Sequence, residues 1–247
     1  MNAVSFNKFK KIREKFRSEA EKLSSSLPKL KDIQQHFADS RSDSKNASYK
    51  VETPVVYNTA LDDITINDEI KMILVADNPG RREQAAENRR YLVGPSGKIA
   101  QKFFRDNPSL GIDFIKNVII LNKTPIHSPR TAELKELCKM EKTLACALEE
   151  SQKFMSSLLL EFQEALACPV WIIGYSEMRK GGIFEVYTEC LKNLYADKKE
   201  LYNHVFIYRH FSMNQFTIDL KQQALDGESI SKSLKRIGKA YRERILG

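Results

Sequence analysis

Four short apolar runs punctuate the chain, and each ends in polar or turn-forming residues. Lys71 to Ala76 is nearly continuous in apolar character and stops at Asp77-Asn78-Pro79-Gly80. Asn117 to Leu121 stops at the segment Asn122 to Pro129, Pro169 to Ile173 at Gly174, and His204 to Tyr208 at Arg209-His210. Runs of this length without alternation predict strands buried on both faces. Between them the apolar residues recur at helical spacing. This predicts helices over residues 96–106 and 177–195, and one long helix or two in series over 131–167, carried by Leu134, Leu137, Leu144, Leu148, Met155, Leu159, Phe162 and Leu166. Strands that alternate with helices imply right-handed crossovers and a sheet covered on both faces. The predicted fold is therefore α/β, a three-layer α/β/α arrangement around a mostly parallel four-stranded sheet.

The N-terminal pattern differs. Val4, Phe6, Phe9, Ile12, Phe16 and Leu23 are spaced as in a helix among Lys, Arg and Glu, and Ser24-Ser25-Ser26 with Pro28 breaks residues 4–37 into two helices. Asp39 to Asn46 lacks apolar residues and reads as a linker. The expected organisation is a basic helical extension over 1–45 and an α/β domain over 46–247 that ends in a basic helix.

Composition narrows the function classes. The chain has 247 residues, 42% hydrophobic, enough for a sizeable core. Its apolar runs are too short to span a bilayer, and charges from Lys8 onward interrupt any signal-peptide pattern, so no membrane partner and a cytoplasmic location are expected. Cys138, Cys146, Cys168 and Cys190 form no C-x-x-C pair and no zinc-ligand spacing, so reduced thiols and no metal are expected. The net charge of +8 sits at the ends: residues 1–45 carry eleven Lys/Arg against six Asp/Glu, and residues 227–247 carry six against two. Such a balance suits a polyanion, or equally two solvated amphipathic helices.

In an open parallel sheet, ligands bind beyond the carboxyl ends of the strands. That rule selects the four segments where the apolar runs stop. Asp77, Asn78, Asn122 and His210 fall there, although each alone also fits a turn, a strand end or a structural histidine. Gly94-Pro95-Ser96-Gly97-Lys98 lacks phosphate-loop spacing and follows a polar stretch rather than a strand; its helix start still suits a single phosphate.

The order of these motifs resembles the uracil-DNA glycosylase superfamily. Ile73 to Gly80 resembles its first motif, a strand followed by G-x-x-P-G, with Asn78 before Pro-Gly as in the mismatch-specific and single-strand-selective branches. Glu83 and Tyr91 to Gly97 are similar to the acidic residue and the following stretch of the iron–sulfur branch. Val118 to Asn122 is similar to the strand whose terminal Asn reads the base, and His210-Phe211-Ser212-Met213 stands at the His-Pro-Ser motif. The resemblance spans roughly residues 70–225. It departs at Asp77, which replaces a Gly or Glu, at Leu92, where a Phe would stack on the base, and at Phe211, which replaces Pro. The paired cysteines of the iron–sulfur branch are absent, so no cluster and no other cofactor is expected.

The resemblance implies a DNA base-excision glycosylase, acting as a monomer on a nucleotide flipped from the stack. His210 would donate to a carbonyl oxygen of the leaving base. Asn122 would read its edge, beside Leu92, Pro79, Gly80 and Ser212, and Asn78 would position the attacking water. Asp77 would act as a base or as a partner to the cationic sugar, a role without family precedent. Lys98 and Arg209 would contact phosphates. The departures also admit a catalytically inactive member of the fold that binds nucleic acid or a small base-like ligand.

Overall fold

In a sheet covered on both sides, successive residues of one strand serve two different cores, and the four strands follow that rule. A computed structural model describes residues 1–41 and 47–247. Strands β1 (Met72–Ala76), β2 (Val118–Asn122), β3 (Val170–Ile173) and β4 (Val205–Tyr208) form one sheet in the order β2-β1-β3-β4, and every pairing is parallel. Ile73, Val75, Ile119, Leu121, Val170, Ile172, Val205 and Ile207 point into one core. Met72, Leu74, Ala76, Val118, Trp171, Ile173 and Tyr208 point into the other.

The helices divide between the two faces. α3 (Pro95–Asp106) connects β1 to β2 and buries Ala100, Phe103 and Phe104 in the second core. α4 (Thr131–Met140) and α5 (Lys142–Leu166) connect β2 to β3 in the opposite direction across the sheet and fill the first core. Crossovers of one hand that run in opposite directions place their helices on opposite faces. α6 (Glu185–Tyr195) and the short α7 (Lys199–Asn203) lead on to β4, with α6 on the α5 side. α8 (Gln215–Gln222) and α9 (Ile230–Leu246) follow, with α9 packed along β4.

Local chemistry sets the helix limits. Pro95 at the first turn of α3 needs no N–H partner. Between α4 and α5, Glu141 is extended, and its carboxylate accepts the Thr143 N–H at 3.2 Å, capping α5. The choice left open over 131–167 is thus resolved as two helices. The helix expected over 177–195 begins only at Glu185, because Gly181 (φ +74°) and Gly182 break it; Tyr175–Met178 form a separate 3-10 turn.

The N-terminal helices are built into the first core. α1 (Ala3–Ser26) buries Phe9, Ile12, Phe16 and Ala20 and packs along α5, with the Phe9 and Phe162 rings 5.4 Å apart. α2 (Leu30–Ser40) packs on α4. Burying a large apolar side chain is worth about 1.5–3 kcal/mol, so α1 is a structural element of the domain. Asp39 and Ser40, expected in a linker, close α2, and residues 42–46 of that expected linker lie outside the described residues. No helix among the described residues is long and apolar enough to cross a membrane.

Candidate active site at the strand ends

The reversal in strand order falls between β1 and β3, and the chain converges on that crevice. β1 ends at Ala76, in register with Asn122. One residue on, Asp77 and Lys123 meet: the Lys123 Nζ donates to Asp77 Oδ1 at 2.5 Å and to the Ile173 carbonyl of β3 at 2.6 Å. The lysine side chain is 0% exposed and the aspartate 14%. Burial lowers the Lys123 pKa, while Asp77 and more distant Glu177 oppose that. The Phe184 ring lies 5.1 Å from its ammonium.

His210 follows β4 and feels the same pair. The Ser212 N–H donates to His210 Nδ1 at 3.0 Å, so Nδ1 is an acceptor and the ring proton sits on Nε2. Burial lowers the His210 pKa, the Lys123 cation lowers it further, and Asp77 works against both. A neutral imidazole with a free Nε2–H is a hydrogen-bond donor without charge. This suits a group that stabilises a leaving anion without becoming an acid.

Asn78 is braced on both sides. Its Nδ2 donates to Ser128 Oγ at 3.0 Å and to the Ser128 carbonyl at 3.1 Å, and its Oδ1 accepts from Thr131 Oγ1 at 3.0 Å. The second lone pair of Oδ1 remains open to an acceptor role toward water. Thr131 Oγ1 also lies 3.3 Å from Asp77 Oδ2, so one hydroxyl ties the two residues together.

The loop itself is clamped from below. Glu83 accepts the Gly80 N–H at 2.8 Å and the backbone N–H of Leu92. Burial pushes its pKa up to about 7. His127 donates from Nδ1 to the Pro79 carbonyl at 2.8 Å, which leaves Nε2 to accept the Tyr49 hydroxyl, also at 2.8 Å. Burial holds His127 down at about 4, so it stays neutral.

Asn122 ends β2 on the α3 side of the sheet, 1% exposed, and its Nδ2 has no hydrogen-bond partner. A buried donor without a partner is costly and calls for an explanation. Leu92, in the same core, adopts φ +52°, a strained region for a branched side chain. Gly97 permits this loop to lie against α3: a Cβ there would come 1.4 Å from the Leu92 carbonyl oxygen.

The sheet rim thus links Asp77, Asn78 and His210, with Asn122 at the end of β2 toward the α3 face, Pro79 and Gly80 in the clamped loop and Ser212 as the partner of His210. The two expected phosphate contacts differ. Lys98 is exposed on the first turn of α3, whereas Arg209 is engaged with Asp219 Oδ1 at 3.2 Å. Exposed cations follow all four strands: Arg82, Arg130, Arg179, Lys180 and Arg209. Met213, also at the rim, is 77% exposed with φ +50°. Among the described residues no cluster of His, Cys, Asp and Glu is able to hold a metal ion.

Sequence reasoning selected the segments that hold Lys123 and Gly174 but gave neither residue a role, and it missed Thr131. The stretch Asn122 to Pro129 reads as an exposed turn, yet residues 121–128 are all buried. The signal was there in part: Thr124-Pro125-Ile126 contains no glycine, and Ile126 bridges to Val55 of the segment that covers it.

Comparison with family models, curated proteins and solved structures finds no match for this chain. The functional reading therefore rests on the site.

Proposed function

We propose that the strand-end rim binds DNA and hydrolyses the N-glycosidic bond of uracil or a related deaminated base. The observation that carries this reading is the buried, unpartnered Nδ2 of Asn122 at the rim that also holds the neutral His210. A flipped base would offer a carbonyl acceptor to that amide and a second to His210 Nε2–H. In the reaction the C1′–N bond breaks and its electron pair leaves with the base. His210 donates a hydrogen bond to the resulting anion. Water adds to C1′, oriented by the open lone pair of Asn78, and its proton passes to Asp77, whose carboxylate also faces the cationic sugar. The reading takes the protein as a monomer.

The rim cations support a polyanionic partner, because phosphates neutralised by Arg and Lys supply most of the affinity for DNA. Exposed Met213 supports a duplex substrate, since apolar side chains of this kind wedge between base steps. The test is release of free base from duplex or single-stranded DNA that contains uracil or hypoxanthine. Release by the wild-type protein and its loss in His210→Ala support the reading; a folded protein that releases neither base contradicts it.

Two observations favour a second reading, a binder without catalysis. The Asn78 Nδ2 is consumed by Ser128, which leaves no donor for a base, and Leu92 offers a flipped base no aromatic face. That reading predicts salt-sensitive DNA binding with no base release.

A further inference from the structure

We infer that Lys123 is a positioning residue whose ammonium fixes the Asp77 carboxylate at the front of the β1–β3 crevice. The inference rests on the reading of the rim as a base-excision site. A buried ammonium is expensive unless it is paired and fully hydrogen-bonded. Lys123 meets that demand with acceptors from neighbouring strands: Asp77 Oδ1 at 2.5 Å, the Ile173 carbonyl at 2.6 Å and the Ala76 carbonyl at 3.5 Å. One side chain just past the end of β2 thereby links the ends of β1 and β3.

The difference in exposure decides what this linkage is for. Lys123 is 0% exposed, whereas the Asp77 side chain keeps 14%. The carboxylate is thus the accessible partner of the pair, at the strand ends where ligands of open α/β sheets bind. The protein has also cleared space for that carboxylate. Gly174, at φ +85°, has no Cβ, and one placed there would lie 2.5 Å from Asp77 Oδ1. On the other side, Thr131 Oγ1 approaches Oδ2 at 3.3 Å. Lys123 itself does not reach the reacting atoms; it acts through Asp77. The charged groups facing His210 here are Asp77 and Lys123, and those facing Lys123 are Asp77 and Glu177.

A double-mutant cycle tests this. Single-turnover base release is measured for the full chain, for Lys123→Met, for Asp77→Asn and for the double variant, with DNA affinity measured alongside. In the wild-type background Lys123→Met slows release about 30-fold or more while affinity changes less than about 3-fold. In the Asp77→Asn background the same change slows release less than about 3-fold, because the group it positions is gone. Equal losses in both backgrounds, or no loss in either, overturn the inference. If Lys123→Met does not fold, Lys123→Gln carries the same comparison, since its amide still donates but bears no charge. Should the wild type release no base, the base-excision reading fails, and Lys123 is then judged without substrate by NMR titration of the His210 ring. A Lys123→Gln shift in the pH at which His210 protonates that differs between the wild-type and Asp77→Asn backgrounds supports the positioning of Asp77, and the same shift in both overturns it.

Discussion

Gly174 and Asp77 are so close that a single methyl group on Gly174 would stand 2.5 Å from the Asp77 carboxylate oxygen. The end of β3 is therefore shaped around a side chain from the end of β1. Gly174→Ala is expected to lower stability by about 1–2 kcal/mol, from the strain of a side chain at φ +85° alone. It is also expected to slow base release about 10-fold or more by displacing Asp77. Thermal unfolding and single-turnover release measure the two effects separately.

Glu83 makes stability depend on pH in an unusual direction. Its folded pKa, about 7, lies above the ordinary carboxylate value, so the folded state favours the protonated form. The stabilisation is full below the unfolded value near 4.5 and is lost as pH rises through 7. Unfolding free energy is expected to fall by a few kcal/mol, on the order of 3, between pH 5 and 8. In Glu83→Gln this dependence should flatten, and the variant should gain on the wild type as pH rises. Urea denaturation across that range is the measurement.

The strands and their polar endings were legible because a buried parallel strand leaves a short, unmistakable apolar run. All four predicted strands agree with β1 to β4 within a residue. Asp77, Asn78, Asn122 and His210 followed from the rule that sites form at strand ends. Lys123 did not, because nothing in local sequence tells a buried ion pair from a solvated lysine: its partners Asp77 and Ile173 are distant along the chain. The N-terminal helices were legible as helices, but not their docking, since an amphipathic face does not reveal what covers it.

That docking has a consequence for truncation. Phe16 is 0% exposed and lies against Tyr57, with ring centroids 5.2 Å apart. Phe16→Ala is expected to cost about 3–5 kcal/mol, and removal of residues 1–27 to unfold the domain rather than merely weaken DNA binding. Circular dichroism of the truncated chain checks this.

The rim cations predict a graded effect on binding. Arg82→Ala and Arg130→Ala should each reduce the slope of log affinity against log salt by about 1 and weaken binding alike for every sequence. Lys71→Ala, at the opposite end of β1 and bonded there to the Gly111 carbonyl, should leave the slope unchanged. Fluorescence anisotropy with labelled DNA over a salt series provides the slopes.

Base release from DNA carrying one uracil or hypoxanthine, by wild type, Asn122→Ala and His210→Ala, bears most directly on the strand-end site. The expected result is turnover by the wild type and a loss of about 100-fold or more in each variant, with both variants still folded. Wild-type protein that is folded and binds DNA yet frees neither base, or variants that release base as fast as the wild type, would contradict it.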